Sequence, residues 1–193
     1  MNLHDVLRSA ENLRAADRPA VAVAAVARRL LRSSRLRGVL RGSWLGHPLH
    51  PLIITVPIGA WVCASALDVQ AGNENAARRL TGIGLAVAPP TVLLGLADYD
   101  GLGRRQQRVG IAHVVANTTA LACFTASYAA RRREAHTGGK LLSLLGLAAL
   151  GVGGALGGHL SYAQGAGVFR WQRPAEDGNV RPFETRRSTR QVR

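Results

Sequence analysis

The sequence predicts an all-α integral membrane protein, an up-down-up-down bundle of four transmembrane helices with an amphipathic helix on its N-terminal side. Three observations predict it: four long uncharged segments, short loops between them, and arginines concentrated outside them. The chain of 193 residues is 47% hydrophobic and yet carries a formal charge of +14. This separation of apolar and basic stretches is typical of a small polytopic membrane protein.

Four segments lack Asp, Glu, Lys and Arg over most of the about 20 residues with which a helix crosses a bilayer. They are residues 51–67, 80–97, 109–130 and 141–168, the last of which we expect to end near Tyr162. The loops between them are short and contain Gly and Asn, which predicts antiparallel neighbours. We therefore divide the chain into a basic N-terminal segment (1–45), a four-span membrane domain (46–168) and a polar tail (169–193) that we expect to be disordered.

The positive charge does not predict a nucleic-acid-binding protein. A basic chain can bind nucleic acid, but these apolar segments are too long for such a domain. Residues 1–41 are rich in charge and show no apolar core ahead of a cleavage site, so we expect no secretory signal there. The sequence also contains no nucleophile motif, P-loop or dinucleotide fingerprint. Whether the protein is an enzyme stays open at this point.

The distribution of Arg and Lys predicts the orientation. With four spans, both termini and the middle loop lie on one side, which carries nineteen of these residues against six on the other. The positive-inside rule places the richer side in the cytoplasm. We therefore expect a multi-pass protein of a bacterial inner (plasma) membrane with both termini cytoplasmic. The run of three arginines at 131–133 lies on the outer side and opposes this assignment.

Residues 21–41 alternate apolar and basic side chains at helical spacing. This pattern is typical of an amphipathic helix that lies on an anionic leaflet. A solvated basic helix that only enforces topology would show the same pattern.

Four histidines and one aspartate are predicted to lie at the same, cytoplasmic end of the bundle: His47, His50, His113, His159 and Asp98. Ionisable residues within spans usually face the bundle interior. Four neutral imidazoles at one level are a ligand set for zinc, copper, iron or haem iron, and Asp98 could orient an imidazole. The alternatives are a proton or substrate pathway, and histidines that merely contact headgroups or helix ends.

The two prolines in the run GHPLHP (46–51) constrain the first two histidines. A residue before proline favours extended backbone, so we expect neither His47 nor His50 to be helical and Pro51 to begin the helix. The two rings would then be held apart. His113 and His159, inside helices, are therefore the first candidate ligands, with His47 or His50 as a further one.

Five segments carry a resemblance: WLGHPLHP (44–51), VPIGAW (56–61), GLADY (95–99), RVGIAH (108–113) and GGHLSY (157–162). Together they resemble the bacterial membrane domain called domain of unknown function 2231. The resemblance implies a membrane domain without an assigned activity. Relatives in which a Rieske-type [2Fe–2S] domain follows, or in which cytochrome-like modules occur, imply redox work at a membrane.

The sequence thus leads to the hypothesis of a membrane electron-transfer subunit. It would hold a b-type haem, or a transition metal ion, near the cytoplasmic face. Its partners would be the lipid bilayer and a Rieske or cytochrome-type redox protein, and it could form a homo-oligomer. Two alternatives stay open: a non-catalytic anchor or assembly module for a redox partner, and a pathway for protons or a small solute.

Overall fold

Helices account for the regular structure of residues 3–168, the part of the chain that the computed structural model describes. In chain order they are α1 (Leu3–Glu11), α2 (Asp17–Leu30), α3 (Ser34–Leu40), α4 (Leu49–Ile53), α5 (Thr55–Leu67), α6 (Glu74–Tyr99), α7 (Arg104–Arg132) and α8 (His136–Gly158). A 3₁₀ turn (Arg14–Ala16) precedes α2, and a π-helical turn (His159–Ala163) follows α8. The tail that we expected to be disordered, residues 169–193, lies outside the described residues.

Within residues 3–168, four helical stretches are long and apolar enough to cross a membrane. They are Leu49–Leu67 (α4 with α5), Glu74–Tyr99, Arg104–Arg132 and His136–Ala163. Each helical stretch extends beyond the corresponding uncharged segment of the sequence, because flanking polar and basic residues continue the helix. Long arginine side chains can reach the membrane interface from such positions. The prediction of an all-α protein with four spans is confirmed.

The helices α7 and α8 pack along an antiparallel seam with a seven-residue repeat. Large side chains on α7 lie against glycines on α8: Asn117 on Gly153, Phe124 on Gly146 and Arg131 on Gly139. A Cβ atom added at Gly153 would lie 2.6 Å from the Asn117 amide nitrogen, so only glycine allows this approach. A seven-residue repeat is typical of helix pairs that supercoil with a left hand. The seam sets the register of the two helices for their whole length.

Trp61 of α5 connects the seam to the other half of the bundle. Its indole stacks on Phe124 of α7 with ring centroids 4.1 Å apart and an interplanar angle of 11°. The indole N–H donates to the carbonyl oxygen of Thr81 in α6 at 3.3 Å. A Cβ atom at Gly84 would overlap the indole, so glycine there lets α6 come close. Trp61 therefore connects α5 to both α6 and α7 within the core.

The N-terminal helices pack against the ends of the second and third spans. Ala16, Ala20 and Ala24 form a buried row that packs with Tyr99 and Ile111. Small alanines spaced four apart present a flat helix face, which allows α2 to lie directly on the bundle. The basic N-terminal segment is thus joined to the membrane domain by an apolar contact as well as by charge.

The amphipathic helix that we predicted over residues 21–41 is two helices, α2 and α3, in the structure. The Ser33 side chain accepts a backbone N–H from the first turn of α3 at 3.3 Å, which caps a new helix there. Arg28 of α2 and Arg37 of α3 then donate to the two carboxylate oxygens of Asp100, at 3.2 and 3.1 Å. The break lets both helices reach one carboxylate, an arrangement that sequence periodicity does not reveal.

His50 is helical, contrary to our expectation. It is the second residue of α4, and Pro51 is the third residue of that helix rather than the first. The first N–H groups of a helix have no intrahelical acceptor, so a proline in this turn costs no hydrogen bond. His50 is helical despite the preference of a residue before proline for extended backbone. His47 lies before α4, outside any helix.

Candidate histidine-pair site

The site is built around two imidazoles from different spans. The rings of His50 in α4 and His113 in α7 lie edge to face, with centroids 6.5 Å apart and an interplanar angle of 76°. His50 is near the start of the first span and His113 is early in the third. Both side chains are partly buried. The structure therefore brings together two of the four histidines singled out in the sequence.

Each of these rings is held by a backbone carbonyl of a neighbouring helix. His50 Nδ1 lies 3.0 Å from the carbonyl oxygen of Thr91 in α6, and His113 Nδ1 lies 2.8 Å from that of Gly153 in α8. A carbonyl oxygen can only accept, so Nδ1 carries the proton in both rings. Nε2 of each neutral ring then keeps its lone pair. This is the tautomer and orientation found in metal-ligating histidines.

Asn117 lies next to the His113 ring. Its amide nitrogen donates to the His113 carbonyl oxygen at 2.8 Å and lies 3.3 Å from both ring nitrogens. With the proton on Nδ1, Nε2 is the ring nitrogen that can accept from this amide. Asn117 thus contacts the ring and places a donor within hydrogen-bond distance of Nε2.

Glycines on the neighbouring helices make room for both rings. A Cβ atom at Gly95 of α6 would lie 3.0 Å from His50 Cε1, and one at Gly157 of α8 would lie 3.1 Å from His113 Cε1. Gly153 and Gly157 thus face α7, whereas nothing lies within 4 Å of a Cβ atom at Gly154. Gly153 and Gly157 therefore let α8 pack closely against the Asn117 and His113 side chains of α7.

The other sequence-predicted residues do not join the pair. His159 is buried, and its Nε2 lies 2.8 Å from Glu11 Oε1 of α1. His47 is exposed, with Nδ1 close to the carbonyl oxygen of Gly46. Asp98 is partly buried near the end of α6. We expected His113 and His159 to act together, but His113 is paired with His50.

Glu11 is a residue that sequence reasoning missed. It lies in the N-terminal helix, far along the chain from His159, and no spacing rule connects the two. Its backbone carbonyl also accepts from Arg108 at 3.2 Å. Arg108 in turn donates two hydrogen bonds to Asp17, at 2.6 and 2.9 Å. The N-terminal helices are therefore fastened to the same end of the bundle that holds the histidine pair.

The described residues bring two imidazoles together rather than a larger group of candidate ligands. Across residues 3–168, no group of three or more His, Cys, Asp or Glu side chains converges as a metal site would require. The ring centroids of His50 and His113 are 6.5 Å apart. Neutral imidazole nitrogens are donors that transition metals accept.

The fold and the site together define a class: a four-span membrane protein with a histidine pair inside one end of its helix bundle. A family model described as a predicted membrane protein, DUF2231, matches residues 46–170. The chain belongs to this family, and the resemblance noted in its sequence is confirmed. No significant match was found among the curated proteins or among the solved structures.

Proposed function

We propose that this protein is a membrane subunit of a redox system and that His50 and His113 bind a metal centre, either a transition metal ion or haem iron. The observation that carries the proposal is the pair itself: two imidazoles from separate spans, each with Nδ1 on a backbone carbonyl. That arrangement makes Nε2 the acceptor nitrogen of each ring within a largely apolar bundle, with the Asn117 amide nitrogen 3.3 Å from that of His113. Polar groups inside spans are costly and usually functional.

The chemistry of the donors narrows the kind of centre. Neutral imidazole nitrogens suit copper, iron, zinc and nickel rather than magnesium or calcium. A bound copper or iron centre supplies one-electron transfer. The residues of this chain hold the rings: Thr91 and Gly153 keep the tautomer, while Gly95 and Gly157 leave space for them.

The redox role rests on the family resemblance, since relatives of this domain carry Rieske-type or cytochrome-like modules. The geometry of the histidine pair supports metal binding independently of it, so the two parts of the proposal can be tested separately.

The direct test is an absorption spectrum of protein purified in mild detergent, oxidised and after dithionite, together with elemental analysis. A Soret band that shifts on reduction identifies haem. A stoichiometric metal without a Soret band identifies an ion, and a spectrum or paramagnetic signal that changes on reduction identifies redox chemistry. A colourless, metal-free protein, also after incubation with each metal and with haem, overturns the proposal.

Variants connect the centre to the two rings. H50A and H113A should each abolish stoichiometric binding, because a two-ligand centre that loses one imidazole keeps only one. H47A is the matched control, since His47 is an exposed imidazole close to the pair in sequence. Full binding in H113A would refute the assignment of the site.

We also propose that the site lies near the cytoplasmic face, with both termini in the cytoplasm. Support comes from the excess of Arg and Lys in the termini and the middle loop over the two other loops. A fluorescent-protein fusion at the C-terminus should fluoresce in intact cells, and an alkaline phosphatase fusion there should be inactive. The reverse pattern would contradict this orientation.

A further inference from the structure

Several apolar and basic side chains between the end of α2 and the first span are not covered by the bundle. Leu30 is 58% exposed, Leu36 44% and Trp44 67%. Three exposed arginines accompany these apolar side chains. We call the set the docking surface: Arg29, Arg32, Arg35, Leu30, Leu36 and Trp44.

The arginines of this segment divide into two groups. Arg28 and Arg37 are paired with Asp100 of the bundle. Arg29, Arg32 and Arg35 point outward and have no acidic partner within residues 3–168. Their positive charge is therefore available to an anionic ligand. A ligand for this surface must offer negative charge beside apolar material.

We propose that the docking surface binds anionic phospholipids of the leaflet from which the first span enters the membrane. The arginines contact the phosphate-bearing headgroups, and the apolar side chains enter the boundary of the acyl chains. Clusters of arginine next to a span attract anionic lipid, and tryptophan favours the same interfacial depth.

The position of the surface favours a lipid over a soluble partner. Trp44 lies five residues before Leu49, the first residue of the first span. So short a connection places the indole close to the boundary of the first span. The apolar contact of α2 with Tyr99 and Ile111, at the ends of two further spans, holds the helix at the same level.

Tryptophan fluorescence can report this binding in the full chain. The protein is reconstituted into phosphatidylcholine vesicles that contain a small fraction of lipid with brominated acyl chains, either phosphatidylglycerol or phosphatidylcholine. Bromine quenches a tryptophan that it contacts. The background variant is Trp171→Phe, and Trp61 serves as an internal reference because it is only 3% exposed.

The expected result is stronger quenching by brominated phosphatidylglycerol than by brominated phosphatidylcholine. The preference should be lost in W44F and should fall by about fivefold for each arginine removed in R32Q/R35Q. The matched control is R132Q/R133Q, which removes two exposed arginines at the C-terminal end of α7. Equal quenching by both lipids, an unchanged preference in R32Q/R35Q, or the same loss in R132Q/R133Q overturns the proposal.

Discussion

Arg131 of α7 and Asp68, at the C-terminal end of α5, form a bidentate ion pair inside the bundle. Nη1 of Arg131 donates to Oδ1 of Asp68 at 2.7 Å, and Nη2 donates to Oδ2. Arg131 is only 2% exposed, and its Nε donates to the Ser127 hydroxyl at 3.1 Å. Lys140 of α8 donates to the Asp68 carbonyl oxygen at 2.8 Å. The pair therefore connects three spans at one end of the bundle.

Breaking the pair on one side should destabilise the protein strongly. In D68N the Arg131 guanidinium keeps its charge in a buried place without a counter-charge, which costs about 3–5 kcal/mol. Denaturant unfolding in detergent micelles measures this loss. R132M, at an exposed neighbour, is the control and should stay within about 0.5 kcal/mol of wild type. A D68N protein as stable as wild type would show that the pair contributes nothing.

The seam between α7 and α8 should tolerate a methyl group on one glycine and not on its neighbour. G153A places a Cβ atom 2.6 Å from the Asn117 amide nitrogen, so we expect a loss of about 1–3 kcal/mol from overpacking. G154A meets nothing within 4 Å and should be neutral or stabilising by up to about 1 kcal/mol, because alanine favours helix. Unfolding curves of the two variants in the same detergent test this. Equal effects would contradict the seam.

A substitution at Gly157 changes the geometry of the site while both imidazoles remain. In G157A the new Cβ atom lies 3.1 Å from His113 Cε1, so the ring must shift by a few tenths of an ångström. Both imidazoles remain, yet we expect a metal affinity lower by about tenfold, as for a disturbed orienting contact. G158A meets nothing within 4 Å and is the control. Metal titration followed by absorbance measures both, and identical affinities would argue against a preorganised pair.

The attachment of the N-terminal helices should weaken in acid. The Arg108 guanidinium, which donates to both carboxylate oxygens, holds the pKa of Asp17 below its ordinary value of 3.8. Since the folded pKa is the lower one, the stabilisation is full above pH 3.8 and is lost as the pH falls through that value toward the folded pKa. Hydrogen exchange of α1 and α2, corrected for intrinsic rates, should show falling protection over that interval.

D17N is the variant that isolates this group, because Glu11 is a second acidic residue at the attachment. It should lower the protection of α2 at neutral pH and reduce the acid-dependent change. E134Q, at an exposed acid beyond the end of α7, should behave as wild type. Wild-type protection in D17N at neutral pH would mean that the Asp17–Arg108 pair does not hold these helices.

The local properties of the chain could be predicted from its sequence. Four spans and their antiparallel order follow from hydropathy and short loops, because lipid tolerates only long apolar helices. The glycines of α8 are visible in the sequence. The sequence does not indicate which of them face α7, because that depends on the rotation of the helix about its axis.

The tertiary structure decided which side chains contact each other. Whether His113 meets His50 or His159, and whether Arg131 is free or paired with Asp68, depends on helix rotation and register, which no residue determines alone. The seven-residue seam between α7 and α8 sets that register, and α1 supplies Glu11 to His159 across a sequence gap that no motif spans. Sequence therefore determined which polar groups lie inside the membrane domain, and packing decided which of them meet, because contacts between helices follow from many small fits along their whole length.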